Sequence, residues 1–474
     1  MKISLINPPF NLTDLTGKTS SMRKVMNITQ PLGLAYIAAY LLENGYEVKI
    51  YDCQCLDIDS EELVSKLKKE SPEIIGFTST TPMIKNTIKT ARKLKKELPN
   101  TIIIIGGSHV SALPKRTLSF NFFDIGIRGE GEITTLELIK SIEKYGLKKL
   151  KHIKGIVYRK GKNIIITSAR PLIENLDKLP FPARHLLPPL EKYKPTPASY
   201  IKLPQAQVIT SRGCPSNCTF CDHSVFGSTY RFRSVKNVFD EIEELINVYG
   251  MRDLKFFDDT FTMIPNRVYE ICNEFKKRKI DIQWCTLTKV NLVNKKMLKR
   301  MKDAGCWQVL FGLESMDEKI LASLKKGTTV KQNISAVKWA HEVGLSVRAD
   351  FLIGTPLENI NSIKKTLNEA KKLNMDFAHF NKFTPYPGTE LYKVLVSKGY
   401  NFKIEDFPSQ LDHTDILYNP PQITKEEFIR YLNECYRQYY MRPRYISKQI
   451  LKMRSFEDFK RMINGFLAVY RLPK

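Results

Sequence analysis

The stretch Ser211-Arg-Gly-Cys-Pro-Ser-Asn-Cys-Thr-Phe-Cys-Asp222 sets three cysteines, Cys214, Cys218 and Cys221, in a C-x3-C-x2-C pattern. Three thiolates this close can bind three irons of a 4Fe–4S cluster and leave the fourth iron without a protein ligand. A cluster that only carries electrons normally has four protein ligands. The open iron therefore points to a site that binds a substrate or cofactor and passes an electron into it. A zinc site would want a fourth Cys or His at comparable spacing, and His223 follows Cys221 too closely to close a tetrahedron. A disulfide network is disfavoured: the nine cysteines are scattered through 474 residues, and no secretory signal is apparent.

The chain is long enough for two or three domains, and its 42% hydrophobic content suffices for real cores. No apolar run reaches the roughly 18 to 20 residues that span a bilayer. A reduced cytoplasmic setting fits this and the thiol chemistry. The net charge of +26 raises the question of nucleic acid. Yet Lys and Arg are dispersed, often on amphipathic segments such as Ala91-Arg-Lys-Leu-Lys-Lys-Glu97, where they read as a solvated face. An anionic lipid or phosphate-bearing substrate fits better than nucleic acid, peripheral membrane contact is compatible, and neutral substrates stay open.

Residues 1–145 alternate strand and helix, with strands expected at Lys2–Ile6, Glu47–Tyr51, Ile74–Thr78, Thr101–Ile105 and Ile125–Arg128. Continuous apolar strands between amphipathic helices predict a doubly wound, Rossmann-like parallel sheet. Ligands on such a sheet bind beyond the carboxyl ends of the strands. Those ends carry Asn7-Pro8-Pro9-Phe10, Ser79-Thr80-Thr81, Gly106-Gly107-Ser108-His109 and Gly129-Glu130-Gly131-Glu132. Small residues there let a large flat ligand approach the backbone. A nicotinamide cofactor is disfavoured because no G-x-G-x-x-G follows the first strand. Residues 146–200 read as a linker with a hairpin turning at Lys160-Gly161-Lys162 and a Pro-rich run after it. Residues 201–400 supply six further strands alternating with helices, the pattern of a partial (β/α)6 TIM-type barrel. Residues 401–474 read as helical, with Tyr431, Tyr436, Tyr439, Tyr440, Tyr445 and Phe456 as core packing.

The cysteine spacing, with Gly213 before it and Phe220 ahead of the last thiol, resembles the radical S-adenosylmethionine (radical SAM) superfamily. The resemblance implies that the open iron chelates the amino and carboxylate groups of SAM, whose reductive cleavage yields a 5′-deoxyadenosyl radical. It implies SAM contacts from Asp258 and Asp259 after the second barrel strand, Glu314 after the fourth, Arg348 in the fifth and Gly354 in the loop that packs on adenine. Residues 1–145 resemble the cobalamin-binding domain found ahead of a radical SAM core. That likeness implies corrin contacts at Ser79, Thr80, Thr81, Gly106, Gly107, Gly129, Glu130 and Gly131, with His109 near the corrin or simply a loop histidine bonded to backbone. The first-strand loop has no Asp-x-His-x-x-Gly motif, which implies no protein imidazole under the cobalt.

Over residues 1–400 the chain resembles the cobalamin-dependent radical SAM methyltransferases, a family that also includes an anaerobic magnesium-protoporphyrin cyclase and hopanoid methylases. The implied activity is methyl transfer to an unactivated carbon of a small-molecule or lipid substrate, with reduced flavodoxin or ferredoxin as electron donor. The alternatives are a non-methylating oxidative cyclase, an RNA-modifying enzyme and a cobalamin-binding sensor. The remaining cysteines form no second group, which argues against methylthiotransferases.

Overall fold

A computed structural model of the chain describes residues 1–9, 27–408, 415–452, 462–463, 465–467 and 469–470. Phe10 and Phe456 lie outside the described residues. The N-terminal sheet contains β1 (Lys2–Asn7), β2 (Glu47–Asp52), β3 (Ile74–Thr78), β4 (Ile102–Gly106), β5 (Ile125–Ile127), β6 (Ile156–Lys160) and β7 (Asn163–Ile166). Its order is β2-β1-β3-β4-β5-β6-β7, parallel from β2 through β5. Alternate strand residues bury opposite faces. Ile3, Leu5, Ile74 and Ile104 pack with helices Leu32–Glu43 and Glu132–Tyr145, whereas Ile6, Ile75, Phe77 and Ile105 pack with Ser60–Glu70 and Ile84–Glu97. Helices on both faces explain why the strands are apolar throughout.

One boundary shifts. The hairpin expected within a linker is β6 and β7, antiparallel strands that extend this sheet from β5. Pairing of Gly126 with Val157 leaves no room for a larger residue at 126, where a Cβ would meet Val157 at 2.6 Å.

The second sheet contains β8 (Gln205–Val208), β11 (Asp253–Phe256), β12 (Gln283–Thr288), β13 (Cys306–Glu314), β14 (Ser346–Ile353) and β15 (Phe377–Lys382). A two-residue antiparallel pair, β9 (Ser211–Arg212) and β10 (Arg231–Phe232), brackets the cysteine loop. The six strands are parallel and in chain order, with no pairing between β8 and β15, so the barrel is partial. Val208, Phe256, Trp284, Phe311, Phe351 and Phe380 face outward into the helical layer. Polar side chains line the inner face, among them Gln207, Lys255, Gln308, Arg348, Asp350 and His379.

The C-terminal aromatics do more than pack. Helix Lys425–Tyr440 lies along β15, the terminal strand. Tyr440 accepts from the Ala378 N–H at 3.0 Å and donates to the Ala378 carbonyl at 2.8 Å, and Tyr436 accepts from the Phe380 N–H at 3.2 Å. These phenols satisfy groups that an exposed edge strand leaves open. Tyr440→Phe strands both Ala378 groups in a buried setting and is expected to cost about 1–3 kcal/mol by denaturant titration. Among the described residues, no helix is long and apolar enough to cross a membrane.

Candidate active site

The cysteine loop leaves β9 at the carboxyl end of the barrel, where such folds place their chemistry. Gly213 opens it with a φ of +84°, and a Cβ there would strike the Thr229 carbonyl and lie 3.1 Å from the Phe226 carbonyl. The loop is tied to its surroundings on several sides. Thr219 donates its N–H to Leu324 at 3.0 Å and accepts from the Leu391 N–H at 2.9 Å, and Lys289 donates to the Ser216 hydroxyl at 2.8 Å. The Cys221 N–H meets the Cys218 carbonyl at 3.1 Å, which curls the two thiols around one turn. Cys214 lies 3.6 Å from the Thr260 hydroxyl. Burial pushes the Cys218 thiol up, Lys326 and Lys289 pull it back, and Glu314 and Cys214 push it further. Three thiolates that repel one another need a positive centre to ionise together. Among the described residues, no three of His, Cys, Asp and Glu close on a single-ion site. Three thiols on one loop can each take one iron of a multi-iron cluster.

The structure sorts the residues expected to hold SAM. Asp258 is not available: it is buried, and its carboxylate accepts from the Thr210 N–H at 2.6 Å, the Thr210 hydroxyl at 2.5 Å and the Ser211 N–H at 3.1 Å. It shapes the approach to the cysteine loop. Asp259, the adjacent carboxylate, is exposed at the mouth. Burial and Asp258 raise its pKa, while His223 and the Gly213 N–H lower it. Glu314 has a φ of +59° and forms a buried ion pair with Lys326 at 2.6 Å. The Lys326 ammonium stands 5.7 Å from the centre of the Phe220 ring. Gly312 lets this pair close, since a Cβ there would lie 2.7 Å from the Lys326 ammonium. Glu314, Lys326 and Phe220 therefore converge beside Cys218.

Two expected contacts lie elsewhere. Arg348 stands on the inner barrel face, five residues before the last residue of β14, bonded to His379 at 3.0 Å and 3.6 Å from Asp350. The space beside Gly354, whose φ is +93°, is taken by the Phe428 ring of the C-terminal helix. Its loop turns on Glu358, which accepts from the Gly354 N–H and from the Thr355 N–H at 3.0 Å. Burial raises the Glu358 carboxyl from 4.5 to about 7, with Asp317 adding and the loop N–H groups opposing. A raised carboxyl pKa stabilises the fold below the unfolded value, and that stability is lost as pH rises through the folded one. Wild type is therefore expected to lose up to about 3 kcal/mol relative to Glu358→Gln between pH 4.5 and 7, read from paired urea titrations. A constant gap across that range would sink this assignment.

At the N-terminal sheet, Thr80 is exposed and Gly106, Gly107, Gly129 and Gly131 are half-buried along the carboxyl ends of the strands. Gly107 has a φ of +104°, and a Cβ there would lie 2.6 Å from the Ser79 carbonyl, so the β3 and β4 loops nearly touch. Ser79 is buried and bonds Thr87 at 3.0 Å. His109 is also buried, its Nδ1 3.1 Å from the Thr81 hydroxyl, and burial with the Arg116 charge lowers its pKa to about 4. Its ring is thus neutral and bonded to the Thr81 side chain after β3, not to backbone.

The Glu130 carboxylate is engaged by protein partners. It and Glu132 cross to the cysteine loop: Arg212 meets Glu130 at 2.9 Å and Glu132 at 2.7 Å, and Arg231 meets Glu130 at 2.9 Å. All four side chains are at least nine-tenths buried. Burial works against the Arg212 charge, but Glu132 and Glu130 more than offset it and raise its pKa. The Arg212 guanidinium is also stacked 5.1 Å from the Tyr36 and Phe226 rings. The two sheets are thereby joined through the residues that bracket the cluster loop. Gly129 completes the contact, 3.8 Å from the Val225 carbonyl at the Cβ position. Sequence reading missed Arg212, Arg231 and Lys326, because each acquires its role only from a partner distant in the chain.

Residues 208–370 match the model of the Radical SAM superfamily, and residues 20–139 match that of the B12 binding domain. An uncharacterized methyltransferase of Pyrococcus horikoshii is 36% identical over 473 residues, covering 99% of both chains. The anaerobic magnesium-protoporphyrin IX monomethyl ester cyclase of Rubrivivax gelatinosus is 28% identical over 89% of this chain and 76% of its own. A solved structure of the radical S-adenosylmethionine methyltransferase TsrM from Kitasatospora setae, with cobalamin and a [4Fe-4S] cluster bound, shares the fold. It aligns with a TM-score of 0.74 across 99% of both chains at 16% identity. The chain belongs to the radical SAM enzymes that carry a B12 binding domain ahead of the radical SAM domain.

Proposed function

We propose that this chain is a cobalamin-dependent radical SAM methyltransferase that methylates an unactivated carbon of a small molecule. The observation that carries the reading is the buried Glu130–Arg212–Glu132 and Glu130–Arg231 network, which turns the ligand-accepting end of the N-terminal sheet toward the cysteine loop. Cys214, Cys218 and Cys221 would hold the cluster and leave one iron for SAM. Asp259 offers an exposed carboxylate at the mouth to the ammonium of SAM, and the Lys326–Glu314 ion pair backs the cluster beside Cys218. Phe220 shields the cluster side of that pocket. Thr80, Gly106, Gly107, Gly129 and Gly131 leave the flat, side-chain-poor surface that a corrin requires. When bound, the cluster supplies an electron for SAM cleavage and the corrin supplies a transferable methyl group. Reduced flavodoxin or ferredoxin is the expected donor, and a reducing cytoplasm the expected setting.

The test is anaerobic reconstitution with iron, sulfide and hydroxocobalamin. About four irons per chain and a corrin absorbance that survives gel filtration are expected. A chain that retains no corrin overturns methyl transfer. The cyclase relative favours a second reading, oxidative radical chemistry without methylation. Mass spectrometry separates the two: methyl transfer forms S-adenosylhomocysteine alongside 5′-deoxyadenosine, whereas the second reading forms 5′-deoxyadenosine alone.

A further inference from the structure

We propose that the barrel lumen just inside the cluster mouth holds one anionic group of the substrate, a carboxylate or a phosphate, with Lys255 as its counter-ion. The inference rests on the enzymatic reading above and adds the chemistry of the substrate. Lys255 projects inward from β11 and is only 6% exposed. Among the described residues it has neither a hydrogen bond nor an ion pair, and its ammonium stands 5.3 Å from the centre of the Phe257 ring. A buried ammonium without a carboxylate is costly. Its strand neighbours do not supply one, and Asp350, the carboxylate whose field reaches it, lies against Arg348 and His379. In register with it stand Gln207 on β8, Cys285 on β12 and, one strand further, Gln308.

Gln207 Nε2 and Gln308 Oε1 are themselves buried without partners, and either amide can present its N–H₂ to a ligand. Asp253 sits two residues deeper but is occupied by the Ile201 N–H and the Gln205 amide, each at 2.8 Å. Cys285 is a thiol whose pKa burial raises to about 12, so it carries no charge. Arg348 faces the same space, but Asp350 and His379 already engage it. Lys255 is thus the cation left without a direct polar partner, available to one anionic group.

The lumen is also open above this point. The side chains of Arg348, Asp350 and His379 keep 13%, 31% and 26% of their exposure although they face the inside of a sheet. A packed barrel core would bury them. A substrate anchored at Lys255 would extend from there toward the cysteine loop.

The experiment uses the reconstituted holoenzyme at constant ionic strength, with acetate, inorganic phosphate and chloride as probes. Acetate or phosphate is expected to raise the melting temperature of the wild type and of Lys255→Arg, and chloride is not. Whichever anion stabilises at lower concentration names the source of the charge. Lys255→Met is expected to melt higher than wild type without anion and to need at least tenfold more acetate or phosphate for the same shift. Its affinity for SAM and its corrin content are expected to stay unchanged. An equal anion response in wild type and Lys255→Met overturns the proposal. A tenfold loss of SAM affinity also overturns it, since Lys255 would then face the SAM carboxylate. Failure of the enzymatic reading would appear separately, as missing iron or corrin in the wild type.

Discussion

Cys218→Ala is expected to yield a folded chain that takes up little iron and produces no 5′-deoxyadenosine. Cys218 is half-buried in a loop, so its removal opens no large cavity and should change stability by no more than about 1 kcal/mol. The loss falls on the cluster alone, because two thiols cannot replace three around a cube of iron and sulfide. Gly213→Ala provides the sharper form of this test. All three thiols remain, yet the new methyl group meets the Thr229 carbonyl at a backbone angle that L-residues avoid. The loop must shift, and the three sulfurs with it. Iron content and absorbance near 400 nm should therefore fall in both variants, with far-ultraviolet dichroism retained. Full iron loading of Gly213→Ala would show that the loop geometry described here is not the one that binds the cluster.

Glu130→Ala is expected to be strongly destabilising although it lies outside the apolar core. It strips Arg231 of its ion-pair partner, takes one of two carboxylates from Arg212, and frees the Ile173 N–H, which Glu130 holds at 2.8 Å. Breaking one side of a buried pair leaves an uncompensated charge and costs about 3–5 kcal/mol. Glu130→Gln keeps the acceptor but not the charge and should fall between. The effect should also reach the chemistry, since Arg212 immediately precedes Gly213. Substituting Glu130 and Arg231 together should recover part of the loss, and a double-mutant cycle measures how much. If Glu130→Ala melts with the wild type, the network does not hold the two sheets together.

Much of the architecture was legible from the chain. Five continuous apolar strands in residues 1–145 announced a parallel sheet covered on both sides, and the six barrel strands recur in chain order. The hairpin turn at Lys160-Gly161-Lys162 was visible as well, but not its attachment to β5, which depends on a pairing some thirty residues away. Side-chain roles were harder to read. Asp258 and Asp259 look alike in sequence, and only the chain direction after Phe257 decides which one meets Thr210. Arg348 lies in the fifth barrel strand as expected, but nothing in its neighbours reveals how far below the mouth it stands. Glu130 sits in a glycine-rich turn typical of ligand contacts, whereas its partners Arg212 and Arg231 lie 82 and 101 residues further along the chain. Lys326 gave no local signal, since Leu324-Lys-Lys-Gly327 reads as a solvated turn.

The phenol groups along β15 offer a clock for the C-terminal helix. The Ala378 and Phe380 amides point away from β14 and are shielded by Tyr440 and Tyr436 rather than by another strand. Their deuterium uptake must therefore wait for helix Lys425–Tyr440 to lift, while the amides bonded to β14 wait for the sheet itself to open. Two exchange rates within one strand would time the departure of that helix separately from the unfolding of the barrel it covers.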